Sequence, residues 1–320
     1  MRRWLVGLLT AAAAHGSTVE LFNERGEPGA SMLVKKGITS GVLLDEEGAF
    51  FCNAFIVRRQ NQFQLATASH CVRDRWAQTP RPRTEFAYQD DRGVTRTIAV
   101  DAPATYLGEV ETEEQSEGTN PLDFALIPIG PNPDWKTLEW ERKKSAQTSA
   151  YVVYYHRANG QPDSSLYLHA IACKAAPKIP AVRVSVTATD GNLQRLDYFT
   201  AVTAKGQAHD EAVDLFLDHC KIPLPTGASG ALVVDAHWQP IALLHTGVTT
   251  HQFSIGWQKG GWRDEAKIQP GDTLAGHFLA SDGKAYGPLP ADSLFEGRGN
   301  PIFLFGAALR LDVAAQHTAD

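Results

Sequence analysis

The chain has 320 residues, of which 43% are apolar and 21% are charged, and its formal net charge is −6. This composition is typical of a soluble globular protein, and the length suits one large domain or two small ones. The sequence contains no basic stretch with interleaved aromatic residues. Nucleic acids and anionic membrane surfaces are therefore not expected as partners.

The first residues read MRRWLVGLLTAAAAHG and have the features of a secretory signal peptide. Two arginines precede an apolar stretch that is too short to span a bilayer, and a small-x-small pattern predicts cleavage after Ala14. A buried N-terminal helix is the alternative interpretation. We expect residues 1–14 to be removed on export, so that the mature protein is secreted or periplasmic.

Export determines how the four cysteines, Cys52, Cys71, Cys173 and Cys220, are interpreted. An even number in an oxidising compartment predicts two disulfides, for which three pairings are possible. No C-x-x-C motif is present, so a zinc site is not expected. No other metal site and no cofactor are predicted.

Short runs with strand character follow one another along the chain: SGVLL, FFCNAFIV, FQLATAS, TRTIAV, DFALIPI, AYVVYY, VRVSVTA, DLFLD, ALVVD and IALLHTGV. Many contain β-branched or aromatic residues, and most are bounded by Gly, Pro, Asn or Asp. Long helical spacing is largely confined to the tail, FGAALRLDVAAQH. The pattern predicts an all-β sandwich or barrel protein with a C-terminal helix.

A Pro- and Gly-rich connector, IPIGPNPDW, divides the chain. We therefore predict an N-terminal domain over residues 15–134 and a C-terminal domain over 135–320. Residues 255–300 are rich in Gly, Asp and Pro, which predicts an extended loop region within the second domain.

Two stretches of the predicted N-terminal domain carry candidate catalytic residues. FQLATASHCV ends a strand-like run at His70, followed at once by Cys71. A disulfide from Cys71 to Cys52 would pin the turn that carries the histidine, and closing that loop contributes about 3 kcal/mol. Asp123 stands immediately before another apolar run, where a buried carboxylate needs a partner; a histidine is a suitable one.

TGASGALVV places Ser229 beside small residues and before an apolar run. Taken alone, this motif fits either a nucleophile or a turn residue that precedes a strand.

In this order, TASHC, LDFALI and TGASGALVV resemble the histidine, aspartate and nucleophile motifs of the chymotrypsin-like serine peptidases. The resemblance extends over roughly residues 41–247 and is nearest to the bacterial branch that includes the glutamyl endopeptidases. It implies two six-stranded antiparallel β-barrels packed together, with His70 and Asp123 on the first barrel and Ser229 on the second.

The resemblance also implies a role for each residue. His70 takes the proton of Ser229 and returns it to the leaving amine, while Asp123 orients the imidazole. The backbone N–H groups of Gly227 and Ser229 form the oxyanion hole. Asp214 and Asp218 also lie near the serine in sequence, but they are the weaker candidates for the acid.

The disulfides and the activation step are further implications of the resemblance. With Cys52–Cys71 proposed, Cys173 and Cys220 are the remaining pair, and the resemblance supports this bridge because family members often join a strand to the segment before the serine. Ala228 stands where the animal digestive enzymes keep an aspartate that pairs with a new amino terminus. We therefore expect activity without that activation step.

Substrate specificity is the least determined feature. The resemblance places the base of the pocket at Pro223 and Leu224, which would not attract a lysine or arginine side chain. His245 resembles the histidine that contacts the acidic side chain in glutamyl endopeptidases, and Thr246 and Gly247 follow it along the same wall. An acidic residue before the scissile bond and a small or medium apolar residue there remain as alternatives.

The sequence therefore predicts an exported serine endopeptidase that acts on proteins or peptides as a monomer, without nucleic acid or, after signal cleavage, membrane as a partner. A catalytically inactive chymotrypsin-like fold that serves as a binding module is one alternative. An unrelated exported β-sandwich adhesin with chance motifs is another, and it predicts no bond between Cys52 and Cys71.

Overall fold

The structure is a computed structural model that describes residues 19–23, 33, 37–59, 61–108, 122–132, 135, 138–139, 149–157, 165–177, 181–187, 193–199, 213–221, 224–225, 227–249, 273–274, 278–279, 285–286, 289–290 and 303–318. The predicted signal peptide, Pro223 and most of the predicted loop region at 255–300 lie outside these residues. Among the described residues, no helix combines the length and apolar character that a membrane crossing requires.

Strands dominate the first part of the chain, as predicted. The elements in order are β1 (Glu20–Asn23), β2 (Ser40–Leu44), β3 (Phe50–Arg59), β4 (Gln62–Thr67), α1 (Ser69–Ala77), β5 (Glu85–Gln89), β6 (Thr95–Ala99), β7 (Tyr106–Leu107), β8 (Ala125–Ile129) and β9 (Leu138–Glu139).

The N-terminal sheet contains eight of these strands, in the order β6-β5-β2-β3-β4-β8-β7 with β9 paired to β3. β2 is buried over its whole length between β3 and β5, which explains why its sequence, SGVLL, does not alternate between apolar and polar residues. β9 lies beyond residue 134, yet it runs parallel to β3. The chain therefore stays with the N-terminal sheet as far as Glu139.

The second part of the chain continues the all-β pattern. Its elements are β10 (Ser149–Arg157), β11 (Ser165–Ala176), β12 (Ala181–Thr187), β13 (Leu193–Phe199), β14 (Asp214–Asp218), β15 (Leu232–Asp235), β16 (Pro240–Thr249), β17 (Thr273–Leu274), β18 (Phe278–Leu279), β19 (Ala285–Tyr286), β20 (Leu289–Pro290), β21 (Phe303–Arg310) and α2 (Leu311–His317).

Six of these strands form a closed antiparallel barrel in the order β11-β10-β15-β16-β21-β14, and the pairing of β14 with β11 closes it. α2 packs against β16 and β21. The closed barrel, the N-terminal sheet and the C-terminal helix confirm the predicted chymotrypsin-like fold. The N-terminal sheet has eight strands where six were expected, because the short strands β7 and β9 extend it.

The strand β1 connects the two halves. It runs parallel to β11 of the C-terminal barrel, with Leu21 opposite Leu166. The N–H of Leu21 also donates to Thr95 Oγ1 at 2.9 Å, and its carbonyl accepts from Gln89 Nε2 at 2.5 Å, both in the N-terminal sheet. A single short strand therefore bonds to both halves.

Candidate active site

His70 is the second residue of α1, at the point where β4 ends. Ser69 fixes this turn, because its hydroxyl donates to the carbonyl of Gly108 at 2.5 Å. A disulfide of 2.04 Å joins Cys71, the next residue, to Cys52 on β3. The backbone around the imidazole is therefore fixed on two sides, while its side chain stays 37% exposed.

Asp123 comes just before β8, the antiparallel neighbour of β4. Thr67 lies opposite Ala125 in this pair, so the chain beyond β4 and the chain before β8 meet at the same edge. Asp123 Oδ2 lies 2.7 Å from His70 Nδ1, and its Oδ1 accepts the backbone N–H of His70 at 2.9 Å. A carboxylate only accepts hydrogen bonds, so Nδ1 carries a proton, and in the neutral imidazole Nε2 is the acceptor.

Two opposing effects determine the pKa of Asp123. Burial would raise it, but the hydrogen bonds and charge of His70, together with the charge of His245, hold the pKa below its ordinary value. The carboxylate therefore stays ionised beside the imidazole.

Ser229 lies in a tight turn before β15, between two glycines with left-handed backbone angles. Gly227 has φ of 90° and Gly230 has φ of 80°, conformations that glycine adopts without strain. The Ser229 hydroxyl donates to the carbonyl of His245 at 3.4 Å. Within the described residues no hydrogen bond joins it to His70, whose Nε2 lies 3.7 Å from Cys71 Sγ. Such catalytic hydrogen bonds often form only when substrate is bound.

The serine loop also presents backbone donors. In the described part of the chain, neither the N–H of Gly227 nor that of Ser229 donates to another group. The N–H of Ala228, between them, is used within the loop and donates to Pro225 at 3.1 Å.

The structure places His245 differently from the predicted contact with a substrate side chain. The imidazole is 8% exposed, and its Nε2 lies 3.1 Å from Asp214 Oδ1. Its Nδ1 lies 3.8 Å from Asp123 Oδ2. This arrangement disagrees with a direct bond to an acidic substrate, because both ring nitrogens already face carboxylates.

The remaining predicted substrate-binding residues lie near the edge of the barrel. Thr246 and Gly247 are half-buried on β16, and Gly247 pairs with Gly306 on β21. Leu224 is buried, and its side chain lies close to Gly306: a Cβ added at Gly306 would be 3.0 Å from Leu224 Cδ1.

The second disulfide, of 2.08 Å, joins Cys173 on β11 to Cys220 just after β14. Both bridges have the pairing that the sequence predicts. Cys52, His70 and Cys71 lie close enough together to suggest metal ligands, but the two sulfurs are bonded to each other and are not thiolates.

Sequence reasoning missed Asn53 on β3. Its N–H donates to the carbonyl of Ser229 at 2.8 Å, and its side chain bridges Gly227 and Tyr155. Its carbonyl accepts the hydroxyl of Thr67 at 2.8 Å. The available signal was a polar residue in the otherwise apolar run FFCNAFIV, since a buried amide needs partners.

A family model for the trypsin-like peptidase domain matches residues 52–243. The chain belongs to the trypsin-like peptidase family. The matched range of this peptidase domain contains all three predicted catalytic residues and both disulfides.

Several solved structures are similar to this peptidase domain. A thermostable serine protease AL20 from an extremophilic microorganism has 15% identity, with 67% of this chain and 86% of that chain covered and a TM-score of 0.39. Protease Anisep from Arthrobacter nicotinovorans has 13% identity, with 67% and 84% covered and a TM-score of 0.40. The MamO protease domain from Magnetospirillum magneticum has 10% identity, with 84% and 100% covered and a TM-score of 0.36.

No curated protein matches this sequence. The solved structures are too distant to assign an activity, so the family match alone carries the assignment to the peptidase family.

Proposed function

We propose that this protein is an exported serine endopeptidase in which His70, Asp123 and Ser229 act as a catalytic triad. The observation that carries the proposal is the His70–Asp123 pair, with 2.7 Å between Nδ1 and Oδ2. In the neutral imidazole this pairing leaves Nε2 to accept a proton. A pair of this kind in a trypsin-like peptidase domain is the general base that a serine nucleophile needs.

In the proposed reaction, Ser229 Oγ bonds to the substrate carbonyl carbon while its proton moves to His70 Nε2. The N–H groups of Gly227 and Ser229 stabilise the negative charge that develops on the carbonyl oxygen. The C–N bond then breaks, and His70 gives the proton to the leaving amine. Water then bonds to the acyl carbon while His70 takes its proton, and His70 returns that proton to Ser229 Oγ as the bond between the acyl carbon and Ser229 Oγ breaks.

The pocket favours a small or medium apolar residue before the scissile bond. Leu224 supplies an apolar wall beside the Gly247–Gly306 pair, and His245 is occupied by Asp214. The glutamyl endopeptidase preference would need a free imidazole at that position.

The proposal includes export to a periplasm or to the medium and action as a monomer. Support for export comes from the N-terminal sequence and from the two disulfides, which form in oxidising compartments. Sequencing the N-terminus of the exported protein tests this part, because cleavage after Ala14 leaves His15 as the first residue.

Labelling with a fluorophosphonate probe tests the nucleophile. The full-length protein should react and Ser229→Ala should not, while Ser165→Ala, a serine at the start of β11, should react as the natural protein does. Hydrolysis of casein should follow the same pattern. If the folded natural protein neither reacts nor hydrolyses casein, the binding-module alternative replaces the peptidase.

A further inference from the structure

A second acid–histidine pair lies directly beside the triad. Asp123 Oδ2, the oxygen that bonds His70, is also 3.8 Å from His245 Nδ1. On its other ring nitrogen His245 bonds Asp214 Oδ1 at 3.1 Å. The four side chains therefore form one continuous row, His70–Asp123–His245–Asp214.

The inner part of this row is removed from water. The side chains of Asp123, His245 and Asp214 are 13%, 8% and 6% exposed. Two ionised carboxylates at such depth repel each other and lose hydration, which is costly unless a positive charge lies between them. His245 is the group that lies between them.

Other described charged groups on the elements packed against β16 make contacts of their own. Arg310, which ends β21, pairs with Asp312 of α2 at 2.6 Å. Asp235, which ends β15, accepts backbone N–H groups of its own turn.

We propose that His245 is a positioning residue that remains protonated during turnover, so that its positive charge offsets the negative charge of the two buried carboxylates that acts on His70. The proposal deepens the proposed function and rests on it. The proton of His245 is not transferred to the substrate. The imidazolium donates a hydrogen bond to Asp214 through Nε2, and its positive charge attracts the Asp123 carboxylate on the Nδ1 side.

The electrostatic environment agrees with this role. Burial lowers the pKa of His245, but the charge and hydrogen bond of Asp214 and then the charge of Asp123 outweigh burial, so the pKa is raised. A protonated His245 therefore reduces the negative charge that acts on His70.

Nuclear magnetic resonance of the full-length Ser229→Ala protein tests the protonation state without any need for catalysis. The ring signals of His245 are assigned by their loss in His245→Gln, or by their displacement in Asp214→Asn if the first variant does not fold. We expect both ring nitrogens to be protonated at the ordinary pKa of histidine, 6.5, and the ring to lose its proton only at higher pH. A ring that loses its proton at or below pH 6.5 overturns the proposal.

The pH profile of kcat/KM provides a second, independent test. His245→Gln removes the positive charge between the two carboxylates, so either His70 or Asp214 should take up its proton at higher pH. The acidic limb, or the titration of the Asp214 carboxyl followed by nuclear magnetic resonance, should therefore move up, and His245→Gln/Asp214→Asn should move the limb back. If neither moves in His245→Gln, the proposal is overturned.

The two proposals fail in different ways. Loss of fluorophosphonate labelling in the natural protein contradicts the peptidase, whatever the state of His245. A reactive Ser229 with a neutral His245 contradicts only the positioning role.

Discussion

The side-chain amide of Asn53 donates a hydrogen bond of 2.8 Å to the carbonyl oxygen of Gly227, two residues before Ser229. The same amide lies 3.3 Å from the carbonyl of Tyr155, and its Oδ1 accepts the N–H of Tyr155 at 2.7 Å. Asn53 is 1% exposed. One buried carboxamide therefore ties β3, β10 and the serine loop together and sets the orientation of the Gly227 peptide.

Asn53→Ala should lower kcat more than it raises KM. It leaves the Tyr155 N–H and the Gly227 carbonyl buried without partners, at about 1–3 kcal/mol each. The serine loop then loses its fixed orientation, and we expect kcat to fall about tenfold to hundredfold, less than for loss of a direct oxyanion donor. Steady-state kinetics and urea unfolding measure the two effects.

Asn132→Ala is the matched control for that variant. Its amide bonds the Tyr88 hydroxyl at 2.8 Å, away from the serine loop. It should lose stability while kcat stays at the natural value. A natural kcat in Asn53→Ala would contradict the role assigned to Asn53.

Removing either disulfide should lower stability, but only one of the two removals should also lower the reactivity of Ser229. Cys52→Ala/Cys71→Ala opens a loop with a sequence separation of 19, and Cys173→Ala/Cys220→Ala one of 47. Chain entropy predicts losses of about 3 and about 4 kcal/mol. Only the first bridge is adjacent to His70, so only its removal should slow fluorophosphonate labelling when both variants are folded. Equal slowing by both removals would contradict this assignment.

Gly230→Ala should disrupt the serine loop. A Cβ at this position would overlap the carbonyl oxygen of Asn53 and the hydroxyl of Thr67, in addition to the strain of a φ of 80°. Gly93→Ala provides the comparison, because its φ is 76° and nothing lies within 4 Å of the added Cβ. We expect about 1–2 kcal/mol of destabilisation from the backbone angle alone at Gly93 and clearly more at Gly230. Similar urea midpoints for the two variants would show that the loop adjusts.

The stability of Ser229→Ala, which cannot digest itself, should be greatest between two pH limits. The pKa of Asp123 is lowered in the folded state, so its contribution is present above the ordinary value of 3.8 and is lost as the pH falls through the lower, folded value. The pKa of His245 is raised, so its contribution is present below 6.5 and is lost as the pH rises through the higher, folded value.

Urea midpoints measured across this pH range provide the test. In a plot of urea midpoint against pH, adding His245→Gln should flatten the alkaline side and leave the acidic side sloped. A midpoint that rises steadily above the ordinary value for histidine would contradict the sign of the shift.

Peptides that vary only in the residue before the scissile bond should show no preference for glutamate or aspartate. His245 already bonds Asp214, and Leu224 makes the neighbouring wall apolar. Alanine and valine peptides should therefore be cleaved at least as fast as acidic ones. Faster cleavage after glutamate would mean that the His245–Asp214 pair opens for substrate.

The sequence was sufficient to predict site residues that stand at the edge of an apolar, strand-like run. His70 and Asp123 stand at the edges of apolar runs, and neighbouring antiparallel strands bring such edges together. The contacts of Asn53 could not be predicted in this way, because Tyr155 and Gly227 lie 102 and 174 residues away. Only the packing of the two halves brings these residues together.

His245 shows the same limit. Its position along β16 was apparent from the sequence, but whether its ring faces substrate or the interior depends on β21, which lies between β14 and β16. A prediction based on the sequence spacing between Ser229 and His245 could not have paired His245 with Asp214.

The position of β1 has a consequence for how the chain is assembled. Glu20–Asn23 cannot find its place until Ser165–Leu168 has been synthesised, because those residues supply its parallel neighbour. Contacts between such distant segments form slowly, since the long intervening loop must close first. The contacts of β1 with both halves therefore remain incomplete until the barrel strand β11 has been made, which couples the folding of the two halves.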